Sequence, residues 1–597
     1  MALHESSSPP RPRLVVQIGV TGHRPNRLSP QLADDLPRQC GQILNAIAGL
    51  ASSAHDLLLY APQPPLLRII SPLAEGADRI VARAGLALGA DLQCPLPFHA
   101  DEYCLDFEDA ASREEFRALL AKASVVFEAD ASRDAEEVAY ERIGRMVLEQ
   151  SDFLIAIWDG EPAAGRGGTA QIVEEALAQN VPVLWLHASE PEDPCILLAD
   201  ESGKRQQRSL DELKSIVGGR FSQRGDGEKG FNLSHAYFAE KQPTFDPGRI
   251  FRIFRDVVAR GRLRIGSWRV ADFEKSSRDE WEKMITNSPG LPEGTRHYLL
   301  DRLCPHYAWA DGLSAYYAGA LRSSALATSL LAATSVFVPM VGALCEAYEH
   351  GLGRYPALVE FSLIVTILAI TWHGRRKHWH ERWLNLRQLA ELLRQYSFMA
   401  PLGCSLAAPP PPAHFRSGLD RSWVDGMFRN IARDLGLAPA VVNHAYVSSV
   451  AKLIADILEG QVKYHESNHE TMHKLSHRLH YIGTALFIVT LLACVTHAIS
   501  GKESSWLLLL ATVPPAFGAA FYGIANHGEF SRSADRSLAM ARELEAIQST
   551  EIRKALASPH ESFAALRQTA EKIASVMIAE TMDWSFVFRY RTLNLPG

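Results

Sequence analysis

Hydrophobic positions along this chain follow two patterns that change near residue 320. Before it, short β-branched and apolar runs alternate with longer amphipathic stretches. That alternation predicts parallel strands joined by crossover helices. The runs place strands at Leu14–Val20, Leu67–Ser71, Asp91–Pro95, Val125–Glu128, Phe153–Trp158 and Val183–Leu186. Helices are predicted over Ser29–Ala51, Ala77–Leu88, Ser112–Ala123, Ala135–Glu149 and Thr169–Gln179. Past residue 320, Ser323–Cys345, Leu479–Gly501 up to its closing turn, and Ser504–His527 carry no Asp, Glu, Lys or Arg, and Pro356–Gly374 carries only Glu360. Segments of this length can cross a hydrocarbon core of about 30 Å. Buried core helices are the other reading of such runs.

The windows come in pairs joined by the polar turns "EAYEHGLGRY" and "GKESS", which predicts two helical hairpins. Arg322, Arg375, Arg376, Lys377, Arg382 and Arg387 flank the first hairpin on one side, and Lys474, Arg478, Arg532 and Arg536 flank the second likewise. The opposite turns hold little beyond Glu346, Glu349, Arg354, Lys502 and Glu503. Basic residues collect on the cytoplasmic side of membrane helices, so both chain ends are expected there, in an inner-membrane, multi-pass arrangement. Each hairpin has a lead-in helix and a charged trailing helix, "HERWLNLRQLAELLRQYS" and "FSRSADRSLAMARELEAIQS", so the hairpins look like two copies of one unit. The segment "AAPPPPAHF" between them reads as a stiff spacer.

At 597 residues, several domains are expected. A net charge of -7 gives no basic footprint, which argues against a nucleic-acid polymer as partner. The cysteines stand singly, without metal-ligand or disulfide spacing. The opening "MALHESSSPPRPR" lacks the apolar core of a signal peptide and reads as a disordered tail.

Three strand ends carry the candidate chemistry, where open α/β sheets bind ligands. In "GVTGHR", Gly19 and Gly22 allow close backbone approach, while Thr21, His23 and Arg24 can donate to an anion. In "SPLAEGADR", Gly76 leads into a helix, and Glu75 and Asp78 could hold ribose hydroxyls. In "WDGEPAAGRGGTAQIVEEA", Asp159 and Gly160 end a strand, Gly165, Gly167 and Gly168 form a turn, and Thr169 starts a helix. The amides and dipole of that helix start suit a phosphate. Glycines that merely permit tight turns are the alternative for each loop alone.

These three segments resemble those of the SLOG superfamily, the Rossmann-like group that includes the DprA and LOG proteins, over roughly residues 13 to 190. The resemblance implies a nucleotide site. Of the phosphate pattern of LOG enzymes, which cleave a base from a nucleoside monophosphate, only Gly167-Gly168-Thr169 is present; Glu174 and Glu175 lie further along than its glutamate. "ADGLSAYYAGALRSS" and "RWLNLRQLAELLR" resemble the SLATT family of two-helix membrane modules found in bacterial conflict systems, regarded as pore-forming effectors. The expected fold is therefore an α/β Rossmann-like parallel sheet domain followed by an α-helical membrane region with about four transmembrane helices. Its expected parts are a tail (1–12), the SLOG-like domain (13–200), a polar helical connector (201–305), a first membrane module (306–400), a Pro-rich linker (401–416) and a second membrane module (417–597).

The resulting expectation is an antiphage membrane effector in which a nucleotide or nucleotide-derived ligand gates a pore in the lipid bilayer. It is expected as a homo-oligomer with no metal and no further cofactor. The alternatives are a membrane-tethered nucleoside-phosphate hydrolase using Glu75 or Asp78, and a transporter. Four further features stay open. "FRIFRDVVARGRLRI" carries five arginines on a predicted helix whose face meets solvent, headgroups or another subunit. Ser324, Thr328, Ser329, Thr334 and Ser335 suit close packing or a pore lining. Glu346 and Glu360 form an acidic ring or simple interfacial charges. His465, His469, His473, His477 and His480 form a helical stripe that suits packing, a pH-sensitive face or metal.

Overall fold

A computed structural model of the chain describes residues 8–131, 133–162, 167–200, 203–221, 227–346, 354–405, 423–501, 504–552 and 562–589. Gly165, the spacer over residues 407–415, Glu349, Lys502 and Glu503 lie outside the described residues, as does the side chain of Glu346.

The first part is a mixed, mostly parallel sheet with helices. Its elements run β1 (Val15–Gly22), α1 (Asp35–Ser53), β2 (Leu66–Ile70), α2 (Ala77–Ala87), β3 (Asp91–Leu96), α3 (Ala100–Tyr103), α4 (Ala110–Leu120) and β4 (Val125–Glu128). They continue through α5 (Glu136–Glu149), β5 (Phe153–Trp158), α6 (Thr169–Ala178), β6 (Val183–His187), β7 (Cys195–Ala199) and β8 (Arg205–Ser209). A two-residue strand, β9 (Ala440–Val441), joins from far along the chain. The order is β8-β7-β6-β5-β1-β2-β3-β4-β9, with β7 and β8 antiparallel to their neighbours. The chain leaves β1 in one direction through β2, β3 and β4, then returns to lay β5 against β1's other edge. The central strands are apolar throughout, as strands covered on both faces must be; every residue of β5 is buried.

The six strands read from the sequence lie within two residues of these positions. Helix α1 begins at Asp35 rather than Ser29, because Pro25 and Pro30 each open a short 3-10 turn first. The segment expected in the tail has partners at its end: Arg11 Nε donates to the Leu58 carbonyl at 3.3 Å, and the Pro12 carbonyl accepts from Ala61 at 2.9 Å.

Helices fill the second part: α7 (Leu213–Phe221), α8 (Gly227–Phe238), α9 (Arg249–Arg260), α10 (Phe273–Thr286), α11 (Glu293–His297) and α12 (Cys304–Glu346). Then come α13 (Arg354–Arg376), α14 (Trp379–Met399), α15 (Trp423–Leu435), α16 (His444–Ser500), α17 (Ser505–His527), α18 (Phe530–Ile547) and α19 (Ser562–Arg589). Among the described residues, four helices are long and apolar enough to cross a membrane. They carry exposed apolar side chains such as Leu358, Phe361, Leu491 and Ile499, a band that water would penalise. Pro339, Pro514 and Pro515 sit inside helices that run on through them. Thr328 and Thr334 bond carbonyls of their own helix, at 2.9 and 2.8 Å, which satisfies their hydroxyls locally.

The two hairpins share an elbow. His378 and Glu529, each just before a trailing helix, hold left-handed backbone at φ 50° and 44°, and an aromatic residue, Trp379 or Phe530, opens the helix that follows. Non-glycine residues rarely adopt this region. Helix α9 lies in the notch between the hairpins: Phe251 and Ala259 share a core with Leu326, Met472, Ile524 and Phe530.

The helical part also closes over the sheet. Helix α15 covers the amino-terminal half of the central strands. Arg433 bonds Asp152, just before β5, at 2.6 and 2.8 Å, and both are buried. Leu437 donates to Gln93 of β3 at 2.9 Å, and Arg567 of α19 grips both oxygens of Glu149 at 2.6 and 2.7 Å. One hydrophobic core runs from the sheet into α14, α15, the first turns of α16, and α19.

Candidate functional site

The carboxyl ends of β1, β2 and β5 meet where the strand order reverses, and most of the sequence-named residues gather there. β1 pairs Thr21 with Ala156 and Gly22 with Ile157; the next amide, His23, still donates to the Ile157 carbonyl at 3.0 Å. This fixes His23 at the mouth of the crevice, where its Nε2 lies 2.9 Å from Asp159 Oδ1. Arg27 pairs with the other oxygen of Asp159. Burial works against charge on Asp159, yet the bonds from His23, the Glu161 amide and Arg27 hold its carboxyl below the usual range.

The glycines here have packing reasons. A Cβ on Gly22 would stand 2.3 Å from Ala77 Cβ, and one on Gly19 2.1 Å from Ser151 Oγ. Gly76 has φ +88°, and a Cβ there would meet the His23 carbonyl at 2.5 Å. That carbonyl accepts from Ala77 at 3.1 Å, so the β2–α2 loop is clamped against the β1 loop. Gly160, at φ +81°, lets the chain pass the Trp185 ring.

Asp78 is buried and accepts from Ser71 Oγ at 3.2 Å and the Ala74 amide at 3.3 Å. Burial pushes its carboxyl up to about 7, despite those bonds and the charges of Arg79 and Arg24. Glu75 accepts from the Ser112 hydroxyl. Arg24 and Thr21 differ from these neighbours. Arg24 is exposed, and neither its guanidinium nor the Thr21 hydroxyl has a hydrogen-bond partner among the described residues.

The third segment comes to the site through α5. Gly167, at φ +76°, packs against the backbone of Glu141, and its amide donates to Gln171 Oε1 at 2.8 Å. Gly168 caps α6 in extended conformation and Thr169 opens it; the first-turn amides of a helix have no partner within it. The adjacent residue of α5, Tyr140, bonds Asp106 and feels the charge of Arg24.

Sequence reasoning did not single out Arg27, Asp106, Arg133 or Tyr140. Arg133 reaches Glu102 at 2.8 Å and Glu136 at 3.0 Å, and lies 3.8 Å over the Phe98 ring. Nothing in the sequence distinguishes these from solvated surface groups, because their partners come from distant segments: Asp159 after β5 for Arg27, and the loops after β3 and β4 for the others. The histidine stripe shows stacked rings, His473 and His477 at 6.5 Å, and His469 bonds the Ala534 carbonyl at 2.8 Å. No group of metal-binding side chains occurs among the described residues.

Neither a protein-family model nor a curated protein sequence matches the chain.

Proposed function

We propose that this chain is a membrane effector whose sheet domain binds a nucleotide or nucleotide-derived signal and gates a pore formed by its apolar helices. The carrying observation is the unpartnered Arg24 and Thr21 at the strand-order reversal of an open sheet, beside the His23–Asp159 pair and across from the α6 amino terminus. In this reading the phosphate takes Arg24, Thr21 and the Gly167–Thr169 turn. The similarity of "GVTGHR", "SPLAEGADR" and "GRGGTAQIVEEA" to SLOG segments, and of the hairpins to SLATT modules, supports the same assignment. It carries with it a Rossmann-like fold, an oligomeric assembly and a role in bacterial antiphage defence. The charge flanking the windows supports an inner-membrane location with the nucleotide domain in the cytoplasm.

Helix α5 supplies a route for coupling. Its first turns hold Tyr140 and Glu141 at the site, and its last residue, Glu149, is gripped by Arg567 of α19. A helix of this length spans about 20 Å, so a shift at the site reaches the helical part without an intervening loop. The ligand must favour the open arrangement by about 5.5 kcal/mol to move it from mostly closed to mostly open, which several charge-assisted bonds can supply.

A second reading, nucleoside-phosphate hydrolysis, draws on Asp78, whose raised pKa suits a general acid. One experiment separates them. Small molecules released from the purified, heat-denatured chain are identified by mass, and the wild type is incubated with each. Release of a free base supports hydrolysis. An unchanged nucleotide, retained by wild type and absent from Arg24→Ala, supports the receptor reading.

A further inference from the structure

Where α16 is about to enter its apolar window, the end of α9 meets it in a strongly basic cavity. α9 stops at Gly261, whose φ of +66° turns the chain and brings Arg262-Leu263-Arg264-Ile265 beside α16. The cavity, of about 320 Å³, is lined by Arg260, Arg262, Arg264, Lys474 and Arg478, with Asp256 as its one carboxylate. Asp256 is already shared with Arg255 at 2.9 Å. Lys474 reaches Glu470 at 2.5 Å, and Arg478 donates to the Val258 carbonyl at 2.7 Å. The guanidinium groups of Arg262 and Arg264 have no hydrogen bond or ion pair among the described residues. Gathering so many like charges costs free energy that a bound anion removes, and guanidinium forks match phosphate oxygens.

The surroundings indicate where that phosphate comes from. Leu263, Ile265 and Trp268, interleaved with the arginines, are 68%, 69% and 39% exposed. Arg478 immediately precedes Leu479, the first residue of the apolar window. Basic side chains, Trp and exposed aliphatics at the end of a spanning segment are the composition of a headgroup layer. We infer that this cavity binds the phosphate of an anionic phospholipid, with Leu263, Ile265 and Trp268 in the boundary between headgroups and acyl chains. Because α9 packs between both hairpins, the lipid fastens that helix to the bilayer. The inference rests on the reading of the four apolar helices as membrane spans.

The full chain, incorporated into nanodiscs of phosphatidylcholine with and without phosphatidylglycerol, provides the test. The readouts are lipid retained in native mass spectrometry and hydrogen exchange over residues 258–268. The comparison protein is R262Q/R264Q, whose altered side chains are exposed and carry no hydrogen bond or ion pair among the described residues. The wild type should retain phosphatidylglycerol over phosphatidylcholine by about tenfold or more and gain protection over 258–268, and the double variant should fall to near parity. Equal retention by the two proteins overturns the inference. A parallel titration of lipid-free, detergent-purified protein uses inorganic phosphate and glycerol 3-phosphate; saturable protection there, with nothing added by phosphatidylglycerol, overturns the lipid assignment in favour of a soluble phosphate. A chain that enters neither kind of nanodisc refutes the spanning reading, and this inference falls with it.

Discussion

Along the amino-terminal half of the central strands, charged groups are buried where the helical part closes over the sheet: Asp152 against Arg433, and Arg68 against Asp91 of β3 and the last-turn carbonyls of α15. At the carboxyl ends of the same strands, Arg24 stands in solvent and the Asp159 pair is shared with the half-exposed Arg27. Each end thus carries an Arg–Asp pair, one dry and one wet. Desolvated pairs hold a structure together because losing one partner strands the other, whereas wet pairs contribute little and leave their groups available. The dry end suits a fixed joint to the helices, and the wet end suits a ligand.

Mutations at the two ends should therefore dissociate stability from binding. The largest effect is expected for Arg433→Ala, which leaves Asp152 buried and unpaired at a cost of about 3–5 kcal/mol. Thermal unfolding of the detergent-solubilised chain would show it, and Asp152→Asn in the same chain should recover part of the loss.

Asp78 gives the next effect, and it depends on pH. Its folded pKa of about 7 lies above its ordinary 3.8, so the folded state prefers the neutral acid. That contribution is complete below about pH 4 and is lost as pH rises through 7. At pH 8 the buried charge costs on the order of 4 kcal/mol. Asp78→Asn should raise the melting temperature at pH 8 and change it little at pH 4. A melting difference independent of pH would contradict the burial of this carboxyl.

Arg24→Ala should leave the melting curve unchanged while weakening nucleotide capture by roughly 2 kcal/mol, or about thirtyfold, as read by equilibrium binding of whichever nucleotide is identified in the purified chain. The smallest effect belongs to Arg27→Ala, the wet counterpart of Arg433→Ala, which should cost less than about 1 kcal/mol. If Arg27→Ala destabilised the chain as much as Arg433→Ala, the contrast between the two ends would fail.

The parts of this arrangement set by local composition were legible in the sequence. Six apolar strands announced themselves because both faces of the sheet are covered, and four windows did so because charge is excluded over the length of a membrane. Of the three strands that escaped notice, β7, "CILLA", is apolar but stands at the end of the alternating pattern, and the other two lacked such a signal. β8, "RQQRS", is a mostly exposed polar edge, and β9 is two residues that matter only because α15 and α16 carry them to β4. At the site, Thr21, His23, Arg24 and Asp159 could be named because strand ends show in the pattern. Their neighbours Arg27, Asp106 and Tyr140 could not, since long-range pairing alone distinguishes them from surface charges. Gly19 and Gly22 raised the expectation of a close-approaching ligand, and each is also required by a side chain packed against it, Ser151 and Ala77.

The central claim is that ligand at the wet end of the sheet opens the helices beyond its dry end. Its most direct test is dye efflux from phospholipid vesicles containing the purified chain, measured before and after adding the nucleotide recovered from the wild-type protein. The account predicts efflux that rises with nucleotide in the wild type and stays at the basal level in Arg24→Ala at the same concentration. Efflux that is identical with and without nucleotide, or equal in the two proteins, would contradict it.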